Sequence, residues 1–480
     1  MADKHIVAIT GAIIKDGKYL IIKRNPNKKI FPGKWTVPGG RLELEDYIYD
    51  QKDTGEHWYN IIEKVLRREV REEVGLEIGK IDYLTSLTFF NENEPILVIS
   101  MYAPYIKGKV VLNDENIDYK WVSLEEAKTY DLIEGIYEEL EMLDKKLKGQ
   151  LISEWKKDSL IIEDKVYGRE EIKEKILVEL INSKPVQRLR HIFQYGMPDE
   201  YYHKKNFSRY EHSIGVMILL RRLNASLKEQ IAGLLHDVSH TAFCHVIDWV
   251  IGDPSKEDFQ DNNHLNFILN SEIKFILEKY NYGIREIADI DKFSLLEREI
   301  PGLCADRVDY CLRELDNESI SVDFFTSSLI NQNEQICFKH IKVAEKFATE
   351  FLRLQNEHWA GKQARCRYFI LSRILKKALD YGIISLQDFY STDKEIIEKL
   401  ANSNDPYITE HLTLLKEGLL IEEVDDGGIL LKKKFRYVDP EVLIDNKIKR
   451  LSELSPYFSN LLRMEKERNK IEKGIIFKKL

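Results

Sequence analysis

The 480-residue chain is poor in several kinds of residue and pattern. Its five cysteines (Cys244, Cys304, Cys311, Cys337 and Cys366) are odd in number and include no Cys-x-x-Cys pair. That argues against a disulfide framework or a zinc ribbon, and for reduced thiols in a cytoplasmic protein. No apolar run approaches the roughly 20 residues that cross a bilayer; the stretch 215–220 is about the longest. No membrane partner is expected. The opening Met-Ala-Asp-Lys-His-Ile-Val lacks the pattern of a signal peptide. Internal repeats and low-complexity tracts are absent. Positive charge is also in deficit: the net charge of −9 disfavours a general nucleic-acid binder. Only the C-terminal end departs from this, with 14 Lys and Arg against 7 Asp and Glu over 432–480. A solvated helix face is the plain reading of that surplus. A patch meeting phosphates of a nucleotide or oligonucleotide, or a neighbouring subunit, is the sharper one.

At this length two or three domains are expected, each with its own core. Residues 5–14 and 19–24 read as strands around the turn Asp16-Gly17. A loop over 26–41 contains Pro32-Gly-Lys-Trp-Thr-Val-Pro-Gly-Gly40, and a polar insertion follows over 43–56. Residues 57–74 have a helical pattern that Gly75 is placed to cap. Strand-like segments return at 81–90, 95–103 and 118–122, and Ser123-Leu-Glu-Glu126 reads as a helix N-cap. Beyond residue 150 helical patterns dominate, at 170–182, 185–194, 208–224, 226–239, 262–280 and 303–316. A strand pair is expected at 419–424 and 428–438, then a basic helical tail from 441. The expected domains are 1–148, 149–400 and 401–480. The fold class is multidomain: an α/β sandwich, a mostly α-helical domain, and a small C-terminal α+β extension.

Two groups of residues carry chemistry. In the first, Glu69, Glu72 and Glu73 stand at i, i+3 and i+4 on one helix face. Like charges so close repel unless a cation sits among them. Hard carboxylate oxygens suit Mg²⁺ or Mn²⁺, which would bridge phosphate oxygens. The alternative is a solvated, salt-bridged helix, since Arg67, Arg68 and Arg71 interleave with the acids. In the second group, His236 adjoins Asp237, with His240 and His245 close behind, and seven of the twelve histidines fall between 191 and 264. On a helix His236, Asp237 and His240 would point to nearly the same side. Imidazole plus carboxylate suits a first-row divalent metal, which can activate water near neutral pH.

The Gly-Gly-Arg turn followed by Arg68-Glu-Val-Arg-Glu-Glu-Val-Gly-Leu76 resembles the box of the Nudix hydrolases, with the likeness extending over about 5–145. Those enzymes hydrolyse a nucleoside diphosphate linked to another group. The resemblance implies that Glu69, Glu72 and Glu73 hold metal, that Glu72 and Glu73 take part in catalysis, and that Arg68 and Gly40 shape the substrate site. One departure stands out. Counting back from Arg68, the box glutamate position holds Asn60 and its glycine position Thr54; Glu63, one turn along, is a candidate substitute.

The order His212…His236-Asp237…Asp306 resembles the HD-domain phosphohydrolases. The segments 185–196, 208–216 and 236–245 resemble their dNTP triphosphohydrolase branch, which includes the SAM-and-HD-domain enzymes and bacterial dGTPases. The likeness is sharpest over 185–315, and 430–440 continues it weakly. It implies metal at His212, His236, Asp237 and Asp306, with Mn²⁺, Fe²⁺, Mg²⁺, Ni²⁺ or Zn²⁺ as candidates. It implies phosphate contacts from Arg209 and Arg307. Proton donation would fall to His240 or His264, with His245 nearby. Gln194, Tyr310 and Glu314 would line a sugar site. Tyr195 stands there where leucine is usual, and Leu265 follows His264 where an acid is common. His264 has a rival reading as a surface residue of the polar run 260–264. The Tyr201-Tyr202-His203 run is read as packing on its own domain rather than base stacking.

Together these readings imply a metal-dependent nucleotide phosphohydrolase with two centres. The HD centre would cleave a (deoxy)nucleoside triphosphate to nucleoside plus triphosphate, and the Nudix centre a nucleotide pyrophosphate bond. One rival makes the HD domain a 5′-nucleotidase acting on the Nudix product. Another makes the Nudix domain a nucleotide sensor gating the HD half. A nuclease reading leans only on the basic tail. A homo-oligomer is implied by resemblance alone.

Overall fold

A computed structural model describes residues 4–91, 94–149, 159–252, 256–431, 434–471 and 473–479. The chain divides into two compact units, Met1–Lys157 and Asp158–Leu480.

The first unit is an α/β sandwich. Its strands are β1 (Ile6–Lys15), β2 (Lys18–Arg24), β3 (Trp35–Thr36), β4 (Gly39–Arg41), β5 (Glu77–Ile78), β6 (Asp82–Asn91), β7 (Glu94–Lys107) and β8 (Asn116–Val122). The helices are α1 (Ile61–Val74), α2 (Leu124–Ala127) and α3 (Ile136–Leu147). The sheet runs β3-β2-β1-β7-β5, with β4 on β1, β6 on β7 and β8 on β2. β1 and β7 are parallel, from Ile6↔Ile96 to Ile14↔Pro104. Alternation along β1 explains both faces. Ile9 and Ile13 join Val65, Leu66, Val70 and Val74 of α1 in one core. Ala12 joins Leu140 and Leu143 of α3 in the other. Ser123 caps α2 in a reciprocal capping box with Glu126. α1 starts at Ile61, four residues later than the periodicity suggests, because Asn60 turns into the left-handed region.

The second unit is mostly helical. It opens with a hairpin, β9 (Leu160–Asp164) and β10 (Gly168–Ile172), so the helix expected from 170 begins only at α4 (Lys175–Ile181). Then come α5 (Lys184–Arg188), α6 (Arg209–Arg222), α7 (Leu227–Leu235), α8 (Val246–Val250), α9 (Phe259–Leu269), α10 (Ile273–Lys279), α11 (Ile284–Ala288) and α12 (Ala305–Asn317). The stretch expected as one helix over 262–280 is two, and that over 185–194 ends in a 3₁₀ turn at His191. Further on lie α13 (Asp323–Thr326), β11 (Leu329–Asn331), β12 (Ile336–Phe338), α14 (Ile341–Leu354), α15 (Lys362–Asp380), α16 (Asp393–Ala401) and α17 (Pro406–Glu417).

The C-terminal part holds β13 (Leu419–Val424), β14 (Ile429–Leu430), β15 (Glu441–Ile444), β16 (Lys447–Arg450), α18 (Leu451–Leu454), α19 (Pro456–Asn469) and β17 (Gly474–Lys479). Two expectations are corrected here. The segments after 419 and 428 do not pair with each other; β17 lies between them, antiparallel to both. The tail from 441 is not simply helical: β15 and β16 form a hairpin, and β15 adds in parallel to β12. Leu412, Val438, Val442, Phe458 and Ile475 lie in the same core as the helices around His212, so 401–480 shares the packing of the second unit.

Candidate functional site

In the first unit α1 buries Val65, Leu66, Val70 and Val74, which fixes the acids on its opposite side. Glu73 is nonetheless 4% exposed, accepting from Gly39 N at 2.9 Å and Asn116 Nδ2 at 3.2 Å. Burial pushes its carboxyl up to about 7 and also raises that of Glu69. Glu72 is exposed and lies 3.0 Å from Arg68. A Cβ at Gly40 would collide with the Glu69 carboxylate, so glycine is what lets β4 close over α1. Two acids are thus pressed together at a protein wall, and Glu69, Glu72, Glu73 and Gly40 all border one cavity of about 1220 Å³.

Arg68 reaches Glu69 at 2.8 Å, but its closest carboxylate is one that sequence reasoning missed. Asp46 Oδ1 accepts from Arg68 Nε at 2.6 Å. Burial would raise Asp46, yet hydrogen bonds from Arg68 and the Glu43 backbone, with the charges of Arg68 and Lys64, together outweigh it and hold the carboxyl below the usual range. Counting forward from Gly40, five residues intervene before Asp46. The signal was available in that direction. Counting back from Arg68 crosses the insertion and lands on Asn60, which instead lies at the start of α1 in the left-handed region. Neither Asn60 nor Glu63 is a partner of Arg68.

In the second unit Ser208 caps α6 and sets His212 one turn in. α7 ends at Leu235, so His236, Asp237 and His240 do not share a helix face as the spacing suggested. They sit on consecutive turns, and that loop is pinned from outside. Arg188 donates to the carbonyls of Val238 (3.1 Å) and His240 (2.5 Å). Buried Asp393 accepts from Phe193 N at 2.9 Å and Phe243 N at 2.8 Å.

His212 donates from Nδ1 to Asp309 at 2.7 Å, and His236 donates from Nδ1 to the Gly233 carbonyl at 2.7 Å. Both tautomers are thereby fixed with Nε2 free. The two Nε2 atoms face each other at 3.2 Å. Asp306 Oδ1 lies 2.9 Å from the first and 3.6 Å from the second. Ligand atoms of His212, His236 and Asp306 all fall within 4.8 Å of one another. Asp237 adds oxygens at 3.7 Å from His212 and 3.5 Å from His236. Two lone pairs aimed at one point, flanked by carboxylates, fit a divalent cation. Burial works against charge on His236, but Asp237 and Asp306 outweigh it and carry the imidazole up to about 9. Asp237 is held well below the usual carboxylate range, as Arg209, His236 and His240 overcome its burial.

A second layer supports His212. Arg313 Nε donates to Asp309 at 2.8 Å and Nη2 to Asp164 of β9 at 2.7 Å. Gly215, one turn after His212, has no side chain because a Cβ there would strike Arg313 and Asp309. Asp309, Arg313 and Asp164 were not anticipated; only the i+3 spacing of Asp309 from Asp306 hinted at them.

The other anticipated residues divide into two groups. His240 lies 3.3 Å from Asp237, and burial lowers its imidazole well below the ordinary value. His264, 5% exposed on α9, faces Ser239 Oγ at 3.1 Å through Nδ1, while its buried Nε2 has no partner among the described residues. It is not a surface residue. Burial lowers it to about 4. His245 is 3.5 Å from Asp248 and packs edge-on to His240. Gln194 has an unpartnered buried Oε1. Gln260, not anticipated, reaches Asp237 at 3.4 Å and also keeps an unpartnered buried oxygen. Tyr310 packs against the ring of His212.

The second group is engaged elsewhere. Arg209 is committed to Asp237 at 2.5 Å, and Arg307 to Glu297 at 2.6 Å. Glu314 is 1% exposed and already bonded by Tyr195, His358, Trp359 and Lys204. Tyr201 and Tyr202 are buried, and Tyr202 donates to His358 at 2.9 Å. Arg436, from the basic segment, pairs with Glu257 and is influenced by Asp306. Among the described residues no helix is long and apolar enough to cross a membrane.

Comparisons agree with this division. Residues 4–141 match the NUDIX domain and residues 209–290 the HD domain. The chain is 38% identical over 292 residues to the uncharacterized protein YdhJ of Bacillus subtilis, covering 60% of this chain and 89% of that one. It is 38% identical over 157 residues to the metal-dependent phosphohydrolase cns2 of Cordyceps militaris, covering 33% of this chain and 45% of the relative. It is 35% identical over 132 residues to the nucleoside triphosphatase NudI of Salmonella agona, covering 25% of this chain and 83% of the relative. The chain therefore belongs to the Nudix family through its first unit and to the HD-domain family through its second.

Proposed function

We propose that the protein is a metal-dependent nucleotide phosphohydrolase with two hydrolytic centres. The observation that carries this reading is the convergence of His212, His236 and Asp306 ligand atoms within 4.8 Å, beside Asp237. The acids around Arg68 supply the second centre. Relatives named a metal-dependent phosphohydrolase and a nucleoside triphosphatase support it from each side.

In the HD centre His212, His236, Asp237 and Asp306 would hold the cation. A divalent cation there activates water and polarises a phosphoryl oxygen. Asp309 and Gly233 keep both imidazoles in the ligating tautomer. Arg209 orients Asp237. His240 and His264, kept neutral by burial, would pass a proton to the leaving oxygen only once substrate phosphates favour their charged form. Arg307 and Arg436, paired here with Glu297 and Glu257, would meet the phosphates by exchanging those carboxylates for phosphate oxygens. The bond cut is that between nucleoside and α-phosphate of a (deoxy)nucleoside triphosphate, releasing triphosphate. Glu314, saturated by Tyr195 and His358, is not free to read a sugar. This speaks against a strict deoxyribose preference. In the Nudix centre Glu69, Glu72 and Glu73 would hold Mg²⁺ or Mn²⁺, and Arg68, fixed by Asp46, orients Glu69 and Glu72. The hydrolysed bond is a nucleotide pyrophosphate. Retention of the Asp46–Arg68 pair across the insertion favours turnover over a pure sensor role.

Wild type, Asp237→Ala and Glu72→Gln/Glu73→Gln should be incubated with NTPs, dNTPs and dinucleotides in Mg²⁺ and in Mn²⁺, with phosphate, pyrophosphate and triphosphate resolved. Loss of triphosphate release in Asp237→Ala alone, and of nucleoside monophosphate release in the double variant alone, is the expected result. Release of free phosphate in place of triphosphate would replace this reading with a 5′-nucleotidase.

A further inference from the structure

Glu257 stands between α8 and α9 with only 15% of its side chain exposed. Its carboxylate accepts from Arg436 and lies 3.6 Å from Lys434 Nζ. Both bases come from the chain that leads into β15, and Lys434 also donates to the Lys256 carbonyl at 3.2 Å. Burial would raise the Glu257 carboxyl, but Arg436, His245 and Lys434 outweigh it and hold it below the usual range. One carboxylate is thus gripped by three basic side chains from two distant parts of the chain. The grip has a backbone cost. At Glu257 φ is 54°, in the left-handed region that residues with a side chain rarely adopt. Such a conformation persists only where the surroundings hold it, and here the pairing with Arg436 does so.

The same bases border the metal pocket. Arg436 lies within electrostatic reach of Tyr310 and Asp306, and Tyr310 packs against the ring of His212. His245 packs edge-on to His240, which is 3.3 Å from Asp237. α9 begins two residues after Glu257 and sends Gln260 to Asp237 at 3.4 Å. Guanidinium, ammonium and imidazole grouped beside a metal pocket suit phosphate oxygens. In this structure a carboxylate takes that place.

We infer that Glu257 is an internal stand-in for a phosphate: it holds the seat of Arg436, Lys434 and His245 in the free enzyme, yields it to the polyphosphate tail of the substrate, and retakes it as triphosphate leaves. The inference rests on the reading of the HD centre proposed above and adds to it how the product is released. Any ligand that uses the seat must displace Glu257, so its affinity is lowered by the strength of that pairing. A ligand that does not reach the seat, such as the free nucleoside, is unaffected.

The test uses the full chain in a Glu72→Gln/Glu73→Gln background, which silences the Nudix centre. Nucleoside release from a nucleoside triphosphate is followed in the presence of inorganic tripolyphosphate or of free nucleoside as inhibitor. Glu257→Gln should lower the inhibition constant of tripolyphosphate about tenfold, the scale of one desolvated charge contact. That of the nucleoside should stay within about twofold, because it makes no such contact. KM for the triphosphate should fall with no gain in kcat, since the product is then held longer. Arg436→Gln added to Glu257→Gln should reverse the gain. If Glu257→Gln folds poorly, Glu257→Gly, which relieves the left-handed backbone, should give the same result. Tripolyphosphate inhibition that is unchanged or weakened in the folded variant overturns the inference and makes Glu257 a fixed anchor for Arg436, as does an equal gain for the nucleoside. The HD reading survives either outcome. If the background chain releases no nucleoside, and Asp237→Ala changes no product, the HD reading fails and takes this inference with it.

Discussion

Asp46 and Arg68 lie 22 positions apart and meet at 2.6 Å, across an insertion that conceals their relationship in the sequence. The carboxylate accepts from Nε and Nη2 of the guanidinium, while Nη1 faces Glu69 and Glu72. Such a fork is geometrically specific. Asp46→Asn should therefore lower Nudix-type monophosphate release by roughly 10- to 100-fold, the usual scale for a residue that orients metal ligands. Asn60→Ala and Glu63→Gln should leave it within about twofold. Steady-state rates on a nucleoside triphosphate decide the matter. A larger effect at Glu63 would return the box position to the helix.

Asp309 fixes the tautomer of His212 and neutralises Arg313. Asp309→Asn should weaken metal binding at the HD centre about 10- to 100-fold. Calorimetric titration with Mn²⁺ would report it, and activity should recover in excess metal. Asp309→Ala should also destabilise the second unit by about 3–5 kcal/mol, because Arg313 is left buried with half its partners. Urea unfolding checks that figure.

Asp393 is fully buried and accepts two backbone N–H groups. Asp393→Ala orphans both and should cost about 2–6 kcal/mol, at roughly 1–3 kcal/mol for each stranded donor. The 236–245 loop should lose amide-exchange protection before the rest of the second unit does. Simultaneous loss everywhere would show that the anchor serves the whole core.

Glu139 supplies a pH dependence of stability. Its folded value is about 7 against 4.5 for the free group, so the folded state binds the extra proton between those values. Stability from this group is therefore fully present below about 4.5 and falls as pH rises through 7. The difference is at most about 3 kcal/mol. Glu139→Gln has no such proton to lose. Its stability relative to wild type should rise between pH 5 and pH 8, as denaturant unfolding at the two values would reveal.

Local patterns were legible where one element writes its own signal. The i, i+4 apolar spacing of Leu66, Val70 and Val74 marked α1, and the Asp16-Gly17 turn between two apolar runs marked β1 and β2. His212, His236, Asp237 and Asp306 stood out as chemistry-bearing residues, and folding does bring them together. What stayed hidden depends on distant partners. Asp393 reaches Phe193 across 200 positions, and Arg313 reaches Asp164 across 149. No local periodicity encodes such pairs. β17 enters between β13 and β14 from 50 residues away, so a turn-like Asp426-Gly427-Gly428 looked like a hairpin that it does not make. His236 and His240 have helical spacing, yet Leu235 ends the helix; tertiary anchors through Arg188 set that loop instead.

The Asp164–Arg313–Asp309–His212 line has a practical consequence for shortened versions of this protein. Asp164 lies at the end of β9, outside residues 209–290 that match the HD domain. A fragment begun after β9 would retain His212, His236, Asp237 and Asp306 and still carry, behind His212, a buried guanidinium left with Asp309 as its one carboxylate partner. Expression boundaries for the second unit belong ahead of Leu160, or the fragment will show a weakness that the 480-residue chain does not have.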